Sequence, residues 1–125
     1  MILGVGVDIC TASRIQKQLG NDRFMDRVFT RQERDYFASR GKMKASSAAA
    51  CFAAKEAFSK ALGTGIGPVA FAEIEIFHEP NGRPVYRLHG KTRELAGEKG
   101  LITCHLSLSH EGDTAAAFCV LEGLE

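Results

Sequence analysis

Two acidic residues stand where the surrounding sequence leaves little water. Asp8 closes the apolar run of residues 2–9, and Glu56 lies among alanines and phenylalanines within residues 45–62. A carboxylate taken out of water is costly unless it is paired or ligated. If the two met at about 4 Å, their repulsion would add about 4 kcal/mol at an effective dielectric of about 20. A divalent cation removes both penalties together, and hard oxygen ligands favour Mg²⁺ over zinc. Magnesium keeps several waters, so two carboxylates and a diphosphate would complete its shell. The same residues also fit a structural role, with Asp8 capping the next helix and Glu56 pairing with Lys60 four residues on.

Lys55 and Lys60 flank Glu56, and Lys60 stands one turn nearer the run Gly63-Thr64-Gly65-Ile66-Gly67-Pro68. A lysine beside glycines with open backbone N–H groups suits a phosphate. A Walker loop is excluded: the glycines follow the helix, and no G-K-[ST] occurs. A stop followed by a turn also needs glycines, so they serve either purpose. Further on, His105, Ser107 and Ser109 alternate with Cys104, Leu106 and Leu108, and His110 follows. Such a polar strand face could bind phosphate or relay protons, or could simply meet solvent. A Ser-His-Asp triad is not supported, since the G-x-S-x-G elbow is missing. His78 and His89 read as surface residues.

The elements that must position these groups follow from periodicity and punctuation. Residues 2–9 form a strand with Leu3, Val5, Val7 and Ile9 on one face and Gly4, Gly6 and Asp8 on the other. Glycines beside a carboxylate imply that something approaches this backbone closely. Thr11 or Ser13 caps a helix to about Leu19, and a short helix covers 22–29. Thr30-Arg31-Gln32-Glu33 matches a capping box and opens a helix ending near Arg40-Gly41. The longest helix runs over 45–62, with Ser46 or Ser47 as cap and Gly63 as stop. Its many alanines suit close packing at the centre of the fold. A strand over 71–78 turns at Asn81-Gly82 into 84–88, a helix covers 91–99, and strands 103–110 and 114–122 form a second hairpin. The fold class is α+β: an antiparallel sheet packed against a long central helix, in one domain spanning 1–125.

Composition narrows the function classes. With 45% apolar and 25% charged residues, the chain has the profile of a soluble globular domain, and no stretch approaches a membrane span. MILGVGVDIC lacks the basic region of a signal peptide. Cys10, Cys51, Cys104 and Cys119 lie in apolar stretches without C-x-x-C spacing, which suits reduced thiols in the cytoplasm. Residues 1–44 carry nine Lys/Arg against five Asp/Glu, and the rest seven against ten. The basic half, including Arg14 and Arg23, could face an acidic protein or a phosphorylated ligand, or be a solvated surface. Nucleic acid is disfavoured by the near-neutral total charge and the few aromatics in that half.

Four segments in order resemble the holo-acyl-carrier-protein synthase family of phosphopantetheinyl transferases, and the likeness covers nearly the whole chain. Gly4-Val5-Gly6-Val7-Asp8-Ile9 resembles the family's opening G-x-G-x-D strand, and Phe29-Thr30-Arg31-Gln32-Glu33 its F-T-x-x-E segment. Residues 52–65, FAAKEAFSKALGTG, are similar to its W/F-A-A-K-E-A and K-A-L/F-G-T-G signature. His105-Leu106-Ser107-Leu108-Ser109-His110 resembles its closing H-x-S-x-S-H strand.

The resemblance implies transfer of the phosphopantetheine arm of coenzyme A to a serine of an acyl carrier protein, releasing adenosine 3',5'-bisphosphate and supporting fatty acid biosynthesis. It implies catalytic Asp8, Glu56 and Lys60: the two carboxylates hold Mg²⁺ and Lys60 neutralises phosphate charge. Gly63, Thr64, Ser109 and His110 would line the nucleotide pocket with Lys60. The serine proton would pass to Glu56 or to a metal-bound water. Arg14 and Arg23 would grip the acidic carrier, and the protein would be a cytoplasmic homotrimer with coenzyme A between subunits. One departure stands out, because family members often carry arginine where this chain has Cys51. If that arginine touches phosphate, Lys44 or Lys42 must replace it. Two other readings share these features: a different magnesium-dependent enzyme on the same scaffold, and a non-catalytic module that docks a carrier protein.

Overall fold

The computed structural model describes residues 1–65 and 67–124, and its architecture is set by one close backbone contact. Strand β1 (Ile2–Thr11) lies directly on helix α4 (Lys44–Leu62). A Cβ added at Gly4 would fall 1.9 Å from the carbonyl oxygen of Ala61, and one at Gly6 2.0 Å from that of Ala57. Only glycine permits that approach, which fulfils the expectation drawn from the two glycines. The helix answers with small side chains: Ala48, Ala49, Ala53, Ala54, Ala57 and Ala61 are all buried.

Between these elements the chain forms three short helices, α1 (Ala12–Gln16), α2 (Asp22–Val28) and α3 (Arg31–Ala38). Thr11 caps α1 by accepting from the Arg14 N–H at 3.2 Å. The capping box of α3 is formed as predicted, with Thr30 and Glu33 bonded reciprocally at 3.1 and 2.8 Å. Helix α4 departs from expectation at its start. It begins at Lys44 after a 3₁₀ turn over Gly41–Met43, and no side chain caps it, so Ser46 and Ser47 lie inside. Gly63 ends it at φ +80°.

A 3₁₀ turn over Phe71–Glu73 precedes β2 (Ile74–His78), which pairs antiparallel with β3 (Pro84–Leu88). The expected strand thus starts three residues late. Helix α5 (Gly90–Glu98) leads to β4 (Leu101–Glu111) and β5 (Thr114–Gly123). The main sheet has the order β1-β5-β4, antiparallel throughout, with α4 on its inner face. Phe29, Phe37, Phe52 and Phe58 fill the core around α4. Among the described residues, no helix is long and apolar enough to cross a membrane.

The outer face of the sheet is unusual for a surface. Val5, Val7 and Ile9 are 56–62% exposed, and Phe118, opposite Val7, is 47% exposed. Alternation along β1 separates its two faces correctly, but the glycine face is the one turned inward.

Candidate active site

The contact between β1 and α4 fixes what lies beside Asp8. Positions 4, 6 and 8 share one face of the strand, and the first two press on Ala61 and Ala57. Asp8, next along that face, meets Lys60 and Glu56, which lie one turn apart on α4. Lys60 Nζ donates to Asp8 Oδ1 at 2.9 Å and to the Val7 carbonyl at 3.2 Å. That Asp8 bond raises the Lys60 pKa. Asp8 is mostly buried (14% exposed side chain), while Lys60 is 54% exposed and reaches toward solvent.

Glu56 is pushed up to about 7, by partial burial first and then by Asp8 beside it; Arg14 and Lys60 pull the other way. The structural alternative for these residues is not what the fold adopts. Lys60 pairs with Asp8 rather than Glu56, and Thr11 rather than Asp8 caps α1. Two hard oxygen donors set side by side at the edge of solvent fit a Mg²⁺ ion sharing its shell with water and a phosphorylated ligand. Among the described residues no group of three or more His, Cys, Asp or Glu is placed to hold a metal.

The other predicted residues fall in different places. Arg14 lies at the edge of the carboxylate pair, its guanidinium 5.3 Å from the Phe52 ring centre. Arg23 is exposed on α2. Gly63 and Thr64 follow the C-terminal end of α4, where Thr64 Oγ1 bonds to the Gly65 carbonyl at 2.9 Å. Ser109 and His110 instead lie at the opposite end of α4. They line a cavity of about 220 Å³ with Tyr36, Arg40, Ser46 and His78. Along the helix axis the two pairs stand about 25 Å apart, at 1.5 Å per residue. Among the described residues, Gly63 and Thr64 do not line the cavity that holds Ser109 and His110.

This cavity holds groups that sequence reasoning missed. His78, read as a surface residue, is half-buried and stacks on Tyr36 with ring centres 4.1 Å apart and planes 8° apart. Arg40 lies over the same Tyr36 ring at 5.6 Å and donates to Ser47 Oγ at 3.3 Å. Arg40 is therefore the cation of this cavity, whereas Lys42 and Lys44 are not among its lining residues. Cys51 points into the core, where it donates to Glu33 Oε2 at 3.2 Å, and burial pushes its thiol pKa well up. His89 is exposed as expected but is bonded to Glu75 Oε1 at 3.0 Å.

Comparison with known proteins follows the same line. The family model of the 4'-phosphopantetheinyl transferase superfamily matches residues 4–119. A holo-[acyl-carrier-protein] synthase of Treponema denticola is 43% identical over 123 residues, covering 98% of this chain and all of that protein. The crystal structure of holo-[acyl-carrier-protein] synthase from Neisseria meningitidis superposes with a TM-score of 0.87 at 39% identity, over 98% of this chain and 99% of that one. A Bacillus anthracis holo-(acyl-carrier-protein) synthase, solved in complex with CoA (3',5'-ADP), gives a TM-score of 0.82 at 40% identity, with 99% of each chain covered. With its motifs, fold and near full-length matches in agreement, the chain belongs to the 4'-phosphopantetheinyl transferase superfamily.

Proposed function

We propose that this protein is a holo-acyl-carrier-protein synthase that moves the phosphopantetheine arm of coenzyme A onto a serine of an acyl carrier protein. The observation that carries the chemistry is the convergence of Asp8, Glu56 and Lys60, from elements some fifty residues apart, at one solvent-facing point. Asp8 and Glu56 would hold Mg²⁺. When bound, the ion supplies positive charge to a pyrophosphate and to the phosphoryl group in transfer. Lys60, anchored by Asp8 and half in solvent, adds a second positive charge for phosphate oxygens.

The carrier serine attacks the β-phosphorus, the bond from that phosphorus to the bridging oxygen breaks, and adenosine 3',5'-bisphosphate leaves. The serine proton passes to Glu56 or to a water held beside it, the two acceptors within reach of this site. Arg14, beside the site on α1, and Arg23, exposed on the next helix, suit an acidic carrier surface. The adenine nucleotide end of the donor suits the cavity of Arg40, Tyr36, His78, Ser109 and His110, which offers a cation, stacked rings and a hydroxyl.

Gly63-Thr64 and Ser109-His110 stand at opposite ends of α4, and the sheet leaves an apolar outer face uncovered. Both features support an assembly, proposed as a homotrimer, in which neighbouring copies complete one donor site; the family likeness supports a place in the cytoplasm and in fatty acid biosynthesis. Mass spectrometry tests the activity: with coenzyme A and Mg²⁺, an apo acyl carrier protein should gain one phosphopantetheine mass. A carrier that binds but never gains mass would favour the docking-module reading.

A further inference from the structure

Two motifs singled out in the sequence, F-T-x-x-E and the lysine of A-A-K-E, take no direct part in the chemistry above, yet they meet in the core. Lys55 and Glu33 are 0% and 2% exposed. Lys55 Nζ directs its three protons at Glu33 Oε1 (2.9 Å), the Phe71 carbonyl (2.8 Å) and the Ile74 carbonyl (2.7 Å). Glu33 Oε1 also accepts from the Thr30 N–H at 2.8 Å, and Oε2 from the Ile76 N–H at 2.7 Å and the Cys51 thiol at 3.2 Å. Charge on each side chain is thus met by fixed partners from α3, α4 and the entry to β2.

A buried ion pair is a poor source of net stability, because desolvation offsets its attraction. Its effect here is directional. Adjacent residues on a helix point about 100° apart, so fixing Lys55 against α3 and β2 fixes the azimuth at which Glu56 faces β1 and Asp8. On the opposite side, Gly4 and Gly6 press against Ala61 and Ala57, leaving α4 no room to roll. The carbonyls of Phe71 and Ile74 also fix where the chain re-enters the core after Gly63-Thr64. We propose that Glu33 and Lys55 are positioning residues that set the approach of Glu56 to Asp8, an inference that rests on the metal assignment given above.

Mn²⁺ titration followed by electron paramagnetic resonance, without substrate, tests it on the full chain. The Glu33→Gln/Lys55→Met double variant leaves no unpaired buried charge but orphans the Phe71 and Ile74 carbonyls, so it is expected to fold with a lowered melting temperature, and Mn²⁺ is titrated well below it. Its Mn²⁺ Kd should rise about tenfold or more, as when support for a metal ligand is lost. A merely structural pair would leave the folded double variant with wild-type affinity, and that result overturns the proposal. A wild type that binds no Mn²⁺ would overturn the metal assignment and this inference together. Each single variant should bind Mn²⁺ at least as weakly as the double, measured well below its own melting point.

Discussion

Partial burial and the neighbouring Asp8 hold a proton on Glu56, and this determines how the site responds to pH. Glu56 lies near 7 in the metal-free protein, above its range in an unfolded chain, so the folded state holds its proton more tightly. Its contribution to stability is therefore present below the unfolded pKa and is lost as pH rises through about 7. Metal binding needs the ionised form. Calorimetry in buffers of different ionisation enthalpy should show about one proton released per Mg²⁺ at pH about 6 and almost none at pH about 8.5. Glu56→Gln should abolish that release and the transferase activity while the protein still folds. Normal turnover by this variant would remove Glu56 from the metal site. Arg14 and Arg23, both read from sequence as carrier contacts, separate in the structure, since only Arg14 lies close enough to Glu56 to lower its pKa. Arg23→Glu should raise KM for the carrier protein roughly tenfold, with Mg²⁺ affinity unchanged; weakened metal binding would place it elsewhere.

At the scale of elements, the β1–α4 contact is where small changes should matter most. Gly6→Ala puts a methyl group 2.0 Å from a backbone oxygen that no rotamer change can move. The strand must lift, costing about 3 kcal/mol by analogy with overpacked cores. Gly97 of α5 has open space around it, so Gly97→Ala should stabilise by about 0.5–1 kcal/mol. Thermal or urea melts of the two variants should move in opposite directions, and a neutral Gly6→Ala would contradict the contact. This contact was legible before any coordinates, because two glycines beside a carboxylate in a strand have few other uses. The Thr30–Glu33 box and the Gly63 stop were legible too, since each is chemistry within one turn of chain. The start of α4 was not. Ser46 and Ser47 are good caps by propensity, but the 3₁₀ turn before Lys44 winds the chain into the helix early. The Lys55–Glu33 pair was hidden because its partners lie 22 positions apart and each has a plausible solvent-facing role. His78 and Tyr36 were missed likewise, as stacking across two elements leaves no mark on spacing.

At the scale of the whole molecule, the question is how one extended donor reaches groups at both ends of α4. Gly63 and Thr64 belong to one end, Ser109, His110 and Arg40 to the other, and Asp8, Glu56 and Lys60 lie between them. Val5, Val7, Ile9 and Phe118 form an apolar strip on the outer sheet face, and an exposed strip of this kind marks a surface that associates. In a closed ring, each interface would join the carboxylate pair and Gly63-Thr64 of one copy to the cavity end of the next. Phe118→Glu should then give monomers by light scattering that still bind Mn²⁺ but no longer hold coenzyme A. Mixing provides the sharper check. Asp8→Ala disables one half of a shared site and Arg40→Ala/His110→Ala weakens the other, so each variant alone should turn over slowly. Reassembled at equal ratio, about one interface in four joins an intact carboxylate pair to an intact cavity end, and about a quarter of wild-type activity should return. If every site is built within one copy, no mixture can exceed the average of its parts.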